Sequence, residues 1–345
     1  MLNSVSTATL LAIPRDAVST IQSRLTDAES EASSGIVADP IRDLGSKAGL
    51  NQLLQAQSVT LSNFQSTNSI ASANLTSTQN ALSSIYSDAQ TFLNALITAQ
   101  STGTVSTLQA QAQSSLTALT SALNTSVGGA YLFGGINNTT KPILDYSTSA
   151  QAATASAFQN AFGTSQSSSS AGSISSSAMT SFLTGDFTNL FSGANWSTNI
   201  SQASSTAMSS LISPNLSVTT SSSANDAAFQ KLYSAYVSIA DLGIDSLSAS
   251  TQQTLLKNAV SVASEAMQGI SDIQTSLGLS QSQITNADTS LKTQASYIDD
   301  WVSQLQQVDP AKASTTLSSL QTQLETAYSL TNSISKLSLV NYLSI

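Results

Sequence analysis

The fold is decided by residues 50–99, which read LNQLLQAQSVTLSNFQSTNSIASANLTSTQNALSSIYSDAQTFLNALITA. A spacing of alternately four and three residues runs through this stretch. Its positions are Leu50, Leu54, Gln57, Leu61, Phe64, Asn68, Ala71, Leu75, Thr78, Leu82, Ile85, Ala89, Phe92, Leu96 and Ala99. A mostly apolar repeat that averages 3.5 residues predicts a long helix packed along another helix. Fifty helical residues span about 75 Å at 1.5 Å per residue, which indicates a rod.

A second stretch with the same spacing lies near the other end of the chain. Its positions are Leu256, Val260, Ala263, Met267, Ile270, Gln274, Leu277, Gln281, Ile284, Asp288, Leu291, Ala295, Ile298, Val302 and Leu305. Two such stripes predict long helices that share an intramolecular core. Gln274, Gln281 and Asp288 interrupt the second stripe near Gly278. We expect the stripe to turn toward solvent and break there, because glycine weakens a helix by roughly 1 kcal/mol. The alternative is that these polar groups set the register or contact a neighbouring subunit.

Composition removes several classes of function. The 345 residues include no cysteine and no histidine, so thiolate nucleophiles, Cys/His zinc sites and histidine acid–base chemistry are excluded. The net charge is −9 with only ten Lys and Arg, which is not the basic footprint of a protein that binds nucleic acid or anionic lipid. We therefore predict no catalytic residue, no cofactor, no metal site and no nucleic-acid partner, and we predict that the protein is not an enzyme.

Charge is also sparse. Charged residues make up 8% of the chain, against about 25% in ordinary soluble domains. Between residues 48 and 140 only Asp88 is charged. Uncharged polar groups cost less to bury than ions, so this surface suits a helix with neighbours on several sides. An ordinary Ser/Thr-rich surface that meets no neighbours explains the composition equally well. No run approaches the roughly 20 apolar residues of a membrane span, and the N-terminus lacks the basic region of a cleaved signal peptide.

Glycine and proline mark the ends of the predicted elements. A short N-terminal helix ends at Gly35, the first long helix runs from about residue 45 to 102, and Gly103 separates it from a second helix. Strand and turn formers around residues 131–138 predict a hairpin. The piece GTSQSSSSAGSISSS, residues 163–177, is of low complexity and predicts a mobile loop. Helix resumes near Asn225, with breaks near Gly243 and Gly278.

The order of elements predicts a mainly α protein. Both termini form one elongated antiparallel helical bundle, and a small irregular, β-containing domain is inserted. The predicted domains are 1–47 with 309–345, 48–146 with 224–308, and the insert 147–223. The two short terminal segments need a partner for their apolar faces, since isolated helices of that size are marginal in water. We predict an interface there, formed by Val18, Ile21, Leu25, Leu317, Leu320, Leu324, Ile334, Leu337, Leu339, Tyr342 and Leu343.

Four pieces of sequence resemble the bacterial flagellin family, and within it the hook-associated junction proteins. LTDAESEASSGIVADPIRDLG (25–45) resembles the family's helix and Asp-Pro loop before the first long helix, although Ile36 and a single Asp39 depart from its pattern. YLFGGINNTTKPI (131–143) resembles the entry into the variable domain. LGLSQSQI (277–284) resembles an element of the C-terminal long helix, with Gln283 where Arg is usual. The ending LSLVNYL (337–343) fits the junction proteins better than filament flagellins.

This resemblance implies an extracellular structural subunit of the bacterial flagellum, exported unfolded without a cleaved signal peptide. It implies self-association in a ring or helical lattice, with a hook-associated protein and flagellin as neighbours. The terminal helices are expected to form an inner tube, and the insert the outer surface. A cytoplasmic export chaperone is expected to hold the C-terminal helix through its stripe from Leu317 to Leu339.

Three other functions remain to be weighed. A filament flagellin shares the fold and export route and differs in neighbours and copy number. An enzyme carried on the flagellum would need converging carboxylates in the insert, and residues 147–223 supply only Asp186. A secreted needle or translocator protein predicts an apolar membrane segment, which is not found in this sequence. We therefore predict a hook–filament junction protein, with filament flagellin as the alternative.

Overall fold

The computed structural model describes residues 7–343, except for the side chains of residues 7–11, 335 and 337–343. Its α-helices are α1 (Thr7–Ser34), α2 (Pro40–Asp43), α3 (Ala48–Thr102), α4 (Leu108–Leu123), α5 (Tyr146–Ser149), α6 (Gln151–Phe162), α7 (Ser176–Phe182), α8 (Thr188–Leu190), α9 (Gly193–Asn199), α10 (Ala227–Asp241), α11 (Ala249–Gln306) and α12 (Pro310–Leu343). Other helical turns span Gly45–Lys47, Ser169–Ser173, Leu183–Phe187 and Ile244–Ser246. The mainly α class with a small strand-containing region is confirmed, since 76% of the chain is helical.

Two small antiparallel hairpins complete the secondary structure. Strands β1 (Ser126–Val127) and β2 (Ala130–Tyr131) flank a turn at Gly128 and Gly129, where both glycines have positive φ. Strands β3 (Ser209–Ser213) and β4 (Leu216–Thr219) pair with a register shift between Leu211 and Ser213. A hairpin is therefore present near residue 131, but its position differs from the prediction: it turns at Gly128 and Gly129, and the turn formers of residues 134–138 lie after it.

The chain forms two compact units. The first comprises residues 1–63 and 291–345, and the second comprises residues 64–290. Helices α3 and α11 each contribute residues to both units. The three-part division into terminal, bundle and inserted domains stays a prediction.

In the first unit, α1 packs against α12. The less exposed side chains of α12 are Ala313, Leu317, Leu320, Leu324, Ala327, Thr331 and Ile334, and those of the corresponding face of α1 are Pro14, Val18, Ile21, Leu25 and Ala28. Both sets keep the four–three spacing of a coiled-coil seam. The Gln22 Nε2 atom donates to the Tyr328 hydroxyl at 2.6 Å. Further along the chain, Ile36 and Gln307 form an antiparallel bridge, so the two helices run in opposite directions.

In the second unit, α3 and α11 are also antiparallel. Leu75, Leu82, Leu277 and Ile284 are buried along their seam. The Gln79 amide donates to the Gln274 carbonyl at 2.7 Å. The Gln274 amide donates to Ser83 at 3.2 Å, and the Gln281 amide donates to Thr76 at 3.3 Å.

Two expectations about α11 are therefore wrong. The helix continues through Gly278 from residue 249 to 306, because buried Leu277 and Ile284 on either side offset the glycine's low helix propensity. Gln274 and Gln281 do not turn away to solvent, since they bond to α3 of the same chain. The stabilisation from long-range packing therefore outweighs the low helix propensity of Gly278.

The core of the second unit is rich in aromatic rings around α10. Phe191 and Trp196 pack on Tyr233, with ring centroids 5.9 and 5.4 Å apart. The Trp196 indole also donates to Asn225 Oδ1 at 3.0 Å. On the other side of α10, Tyr236 packs on Phe92 and donates to Asp88 at 2.8 Å. The aromatic residues that return after residue 180 thus join the core of the long helices.

The expected mobile loop at residues 163–177 is wrong. Ser169–Ser173 is a helical turn, and the Ser168 hydroxyl accepts from the Ser170 amide at 3.2 Å. Ala171 is fully buried, and the Ile174 carbonyl accepts from the buried Thr251 hydroxyl at 2.7 Å. Serine hydroxyls supply local partners for the backbone, so a low-complexity composition does not prevent ordered packing.

Gly243 gives a stability prediction for this unit. It has φ of +66°, and a Cβ atom there would meet the Gln166 carbonyl oxygen. We expect Gly243→Ala to lower the free energy of unfolding by about 3 kcal/mol or more, since strain and overpacking add. Gly163 has a similar φ of +70° with open space around it, so Gly163→Ala should cost only about 1–2 kcal/mol. Urea unfolding of both variants measures the difference, and equal losses would contradict the close-contact explanation.

Candidate assembly surface

The terminal helix pair contains the residues predicted from sequence as an interface. Val18, Ile21 and Leu25 lie half-buried on the face of α1 that packs toward α12. On α12, Leu317, Leu324 and Ile334 are half-buried and Leu320 is 8% exposed. The side chains of Leu337, Leu339, Tyr342 and Leu343 lie outside the described residues. Within a single chain these faces therefore meet each other, and their contact with a second copy or a chaperone stays a prediction.

Large apolar side chains also lie exposed on the first unit, and all of them except Leu50 lie off the predicted helical stripes. They are Ile13, Ile36, Ile41, Leu50, Leu53, Val59, Tyr297, Trp301, Tyr328 and Leu330. Except for Leu50, the sequence reasoning did not select these residues, because it followed only the positions of the seam. The sequence does indicate an exposed apolar surface at Tyr297 and Trp301. These two residues are four positions apart and therefore lie on one face of α11. Exposed apolar clusters of this kind mark contact surfaces.

Tyr297 and Trp301 line a groove between the beginning of α3 and the end of α11. Its lining is Leu54, Gln57, Gln294, Tyr297, Ile298 and Trp301, and its volume is about 240 Å³. Leu54 and Ile298 are buried, whereas Tyr297 is 66% and Trp301 59% exposed. The helices are held together here by bonds from Gln306 to Asn51 at 3.0 Å and from Ser58 to Asp299 at 3.1 Å. None of the six lining residues is an Asp, Glu, Lys or Arg, so the groove suits an apolar side chain.

The segment between α1 and α3 is closely hydrogen-bonded. The Asp39 carboxylate caps α2 by accepting from the Ile41 and Arg42 amides at 3.1 and 3.2 Å. The Glu31 carboxylate accepts from the Ala38 amide at 3.1 Å. Two backbone bonds of 2.9 Å, Val37 to Gln306 and Val308 to Gly35, connect this segment with the junction of α11 and α12. The segment is therefore attached both to α1 and to the junction of α11 and α12.

Charge is concentrated at this segment. Arg42 bonds to Asp43 at 2.8 Å and to Asp27 at 3.2 Å, and these two carboxylates raise the pKa of its guanidinium further above the ordinary value. Ile41 lies next to Arg42 in the short helix α2 and is 70% exposed. The bonds hold the backbone of α2 while the one large apolar side chain of this helix projects into solvent.

The second unit contains a polar cleft of about 660 Å³ beside Tyr146. The Tyr146 hydroxyl donates to Asp241 at 2.6 Å, and Gln151 approaches the other oxygen of that carboxylate at 3.4 Å. Burial and then the bond to Asp241 raise the pKa of Tyr146. Because both carboxylate oxygens already accept from α5 and α6, Asp241 acts as a clamp between these helices and α10.

The described part of the chain lacks the features of two other kinds of site. Residues 7–343 contain no group of three or more Asp and Glu side chains placed to hold a metal ion. None of the described helices combines the length and apolar character needed to cross a membrane.

Comparison with known proteins identifies relatives of both ends of the chain. The family model for the bacterial flagellin N-terminal helical region matches residues 5–138, and that for the C-terminal helical region matches residues 260–343. A Vibrio parahaemolyticus protein assigned as flagellar hook-associated has a similar structure. Its TM-score is 0.53 at 10% identity, over 75% of this chain and 97% of that one. FlgL of Bacillus cereus gives a TM-score of 0.47 at 13% identity, over 73% and 98%. No curated protein sequence matches.

Proposed function

Because the chain belongs to the bacterial flagellin family and is a flagellar structural protein, we propose that it forms the junction between hook and filament. One observation carries the choice of the junction over the filament. The C-terminal residues 337–343, LSLVNYL, fit the junction proteins better than the Leu-Leu-rich tail of filament flagellins. In this role a ring of copies adapts the hook to the filament, and the contacts are structural rather than enzymatic.

The geometry of the first unit supports a role in assembly. The antiparallel pair α1 and α12 brings the N-terminal and C-terminal helices together, which is the arrangement expected of an inner layer. The first unit also exposes large apolar side chains, including the neighbouring pair Tyr297 and Trp301, and exposed apolar patches mark contact surfaces. Neighbouring copies, a hook-associated protein on one side and flagellin on the other are the proposed partners.

Export is the second part of the proposal. The seam face of α12 packs toward α1 in the folded chain, so it is free only before α1 has docked. A cytoplasmic chaperone could bind Leu317, Leu320, Leu324 and the residues up to Leu339 in that state, by holding an amphipathic helix in a groove. Export then proceeds through the flagellar channel.

Immunogold electron microscopy of intact flagella tests the proposed location. Antibody against residues 147–223 should give a single cluster of label between hook and filament. Label along the whole filament would replace the junction role with that of a filament flagellin. A strain that lacks the gene supplies the control for antibody specificity.

A further inference from the structure

Ile41 and the groove beside Trp301 form a complementary pair of surfaces on one chain. We propose that Ile41 of one subunit seats in the α3–α11 groove of a second copy, so that subunits contact each other head to tail. This inference rests on the proposed role as an assembling flagellar subunit and names the side chains through which copies meet.

The groove has the properties of an energetic centre of an interface. Its walls are Tyr297 and Trp301, and tryptophan and tyrosine are enriched among the residues that dominate binding. Its floor is the buried pair Leu54 and Ile298. An apolar cavity of about 150 Å³ already admits benzene. The groove volume of about 240 Å³ is therefore large enough for a branched aliphatic side chain.

Ile41 has the properties of the group that fills such a groove. It is the most exposed large apolar side chain in the described part of the chain, at 70%. The Asp39 cap and the Arg42 ion pairs hold its helix in place, so little conformational freedom is lost when it docks. Its exposure also shows that it does not occupy the groove of its own chain.

A second copy can meet this chain at the groove because neither contact surface carries an unpaired charge at neutral pH. Each chain carries a net charge of −9, so copies repel each other wherever charged surfaces meet. The groove lining contains no Asp, Glu, Lys or Arg, and Arg42 beside Ile41 is already paired within its own chain. Two different patches that fit each other make a heterologous contact, which generates rings or helical arrays. A flagellar subunit requires that kind of contact.

Cysteine cross-linking tests this contact directly, since the natural chain has no cysteine. Flagella are isolated from cells that carry the double variant Ala38→Cys, Gln57→Cys and are treated with a short bis-maleimide. Ala38 is exposed and lies three residues before Ile41, so this variant keeps the side chain that is proposed to dock. Gln57 lies on the groove rim and is exposed, so its substitution leaves the walls intact. We expect a ladder of covalent dimers and higher oligomers on denaturing gels. Each single variant should remain monomeric.

A matched pair and a groove variant complete the test. Ile70→Cys combined with Gln57→Cys should give no ladder, although Ile70 is also exposed. Trp301→Ala added to the first pair should reduce the ladder roughly tenfold or more, as for a dominant contact residue. Val59→Ala, an exposed apolar change outside the groove lining, should not reduce it.

The possible results distinguish a failure of the proposed contact from a failure of the proposed function. If antibody locates the protein on the flagellum but the Ala38–Gln57 pair gives no ladder, the head-to-tail contact is wrong and the structural role stands. If Val59→Ala reduces the ladder as much as Trp301→Ala does, the groove is not the centre of the contact. A protein absent from the flagellum would remove the proposed function itself.

Discussion

Cells in which Leu320 is replaced by Asp should assemble no functional flagella. Leu320 is 8% exposed at the middle of the α12 seam, where an unpaired carboxylate would have to be buried against α1. Burying an unpaired charge inside a contact costs several kcal/mol. Helices α1 and α12 are held together by a single seam, which must offset that cost alone. We expect α1 and α12 to separate, with a loss of helical signal in circular dichroism and of swimming in soft agar.

The control for this variant is Ser318→Asp. It adds the same charge two residues away on the exposed face of α12. Swimming and helical content should stay close to those of the natural protein. If Leu320→Asp cells swim normally, the α1–α12 seam is not needed for assembly. If Ser318→Asp is equally defective, added charge rather than the seam explains the loss.

The second large effect is a loss of folding stability at alkaline pH. Burial raises the pKa of Tyr146, Tyr233 and Tyr236 above the ordinary value of 10.0, with further contributions from Asp241, Asp145 and Asp88 respectively. Above pH 10 the unfolded chain loses these protons while the folded chain keeps them. The unfolded state then binds fewer protons, so stability is complete below pH 10 and falls as the pH rises further.

The free energy of unfolding is expected to fall with a slope of about 1.4 kcal/mol per pH unit for each ring, or about 4 kcal/mol per pH unit for the three together. Urea unfolding between pH 9 and pH 12 measures it. Tyr236→Phe removes one of the three hydroxyls and should reduce the slope by about a third. A flat profile across this range would show that these hydroxyls can ionise inside the folded protein.

Local sequence was sufficient for the long helices and for several of their ends. The four–three spacing identified the seams of α3 and α11, and Leu54, Leu75, Leu82 and Ile284 are buried as it predicts. Gly35 and Gly103 follow helix ends with positive φ, as their sequence positions suggested. These features depend on neighbours within one or two turns, which is the range that a periodic pattern reports.

The same reasoning missed features that depend on distant parts of the chain. Gly278 remains helical because buried side chains beside it pack in the core of the second unit. The serine-rich segment is ordered because Thr251, far along the chain, bonds to Ile174. The groove was missed because Tyr297 and Trp301 flank the seam rather than lie in it.

Local sequence was enough to establish that the chain is mainly helical, where its seams lie and that its terminal regions resemble those of flagellins. A 3.5-residue repeat appears in local spacing and a family motif in local order. Tertiary packing, by contrast, closes the terminal seam within the chain, places Asp88 and Asp241 where they accept from buried tyrosines, and leaves Ile41 and Trp301 exposed. Burial depends on what folds against a residue, and such a neighbour can be distant in sequence, since the bonded pair Gln22 and Tyr328 lies 306 positions apart.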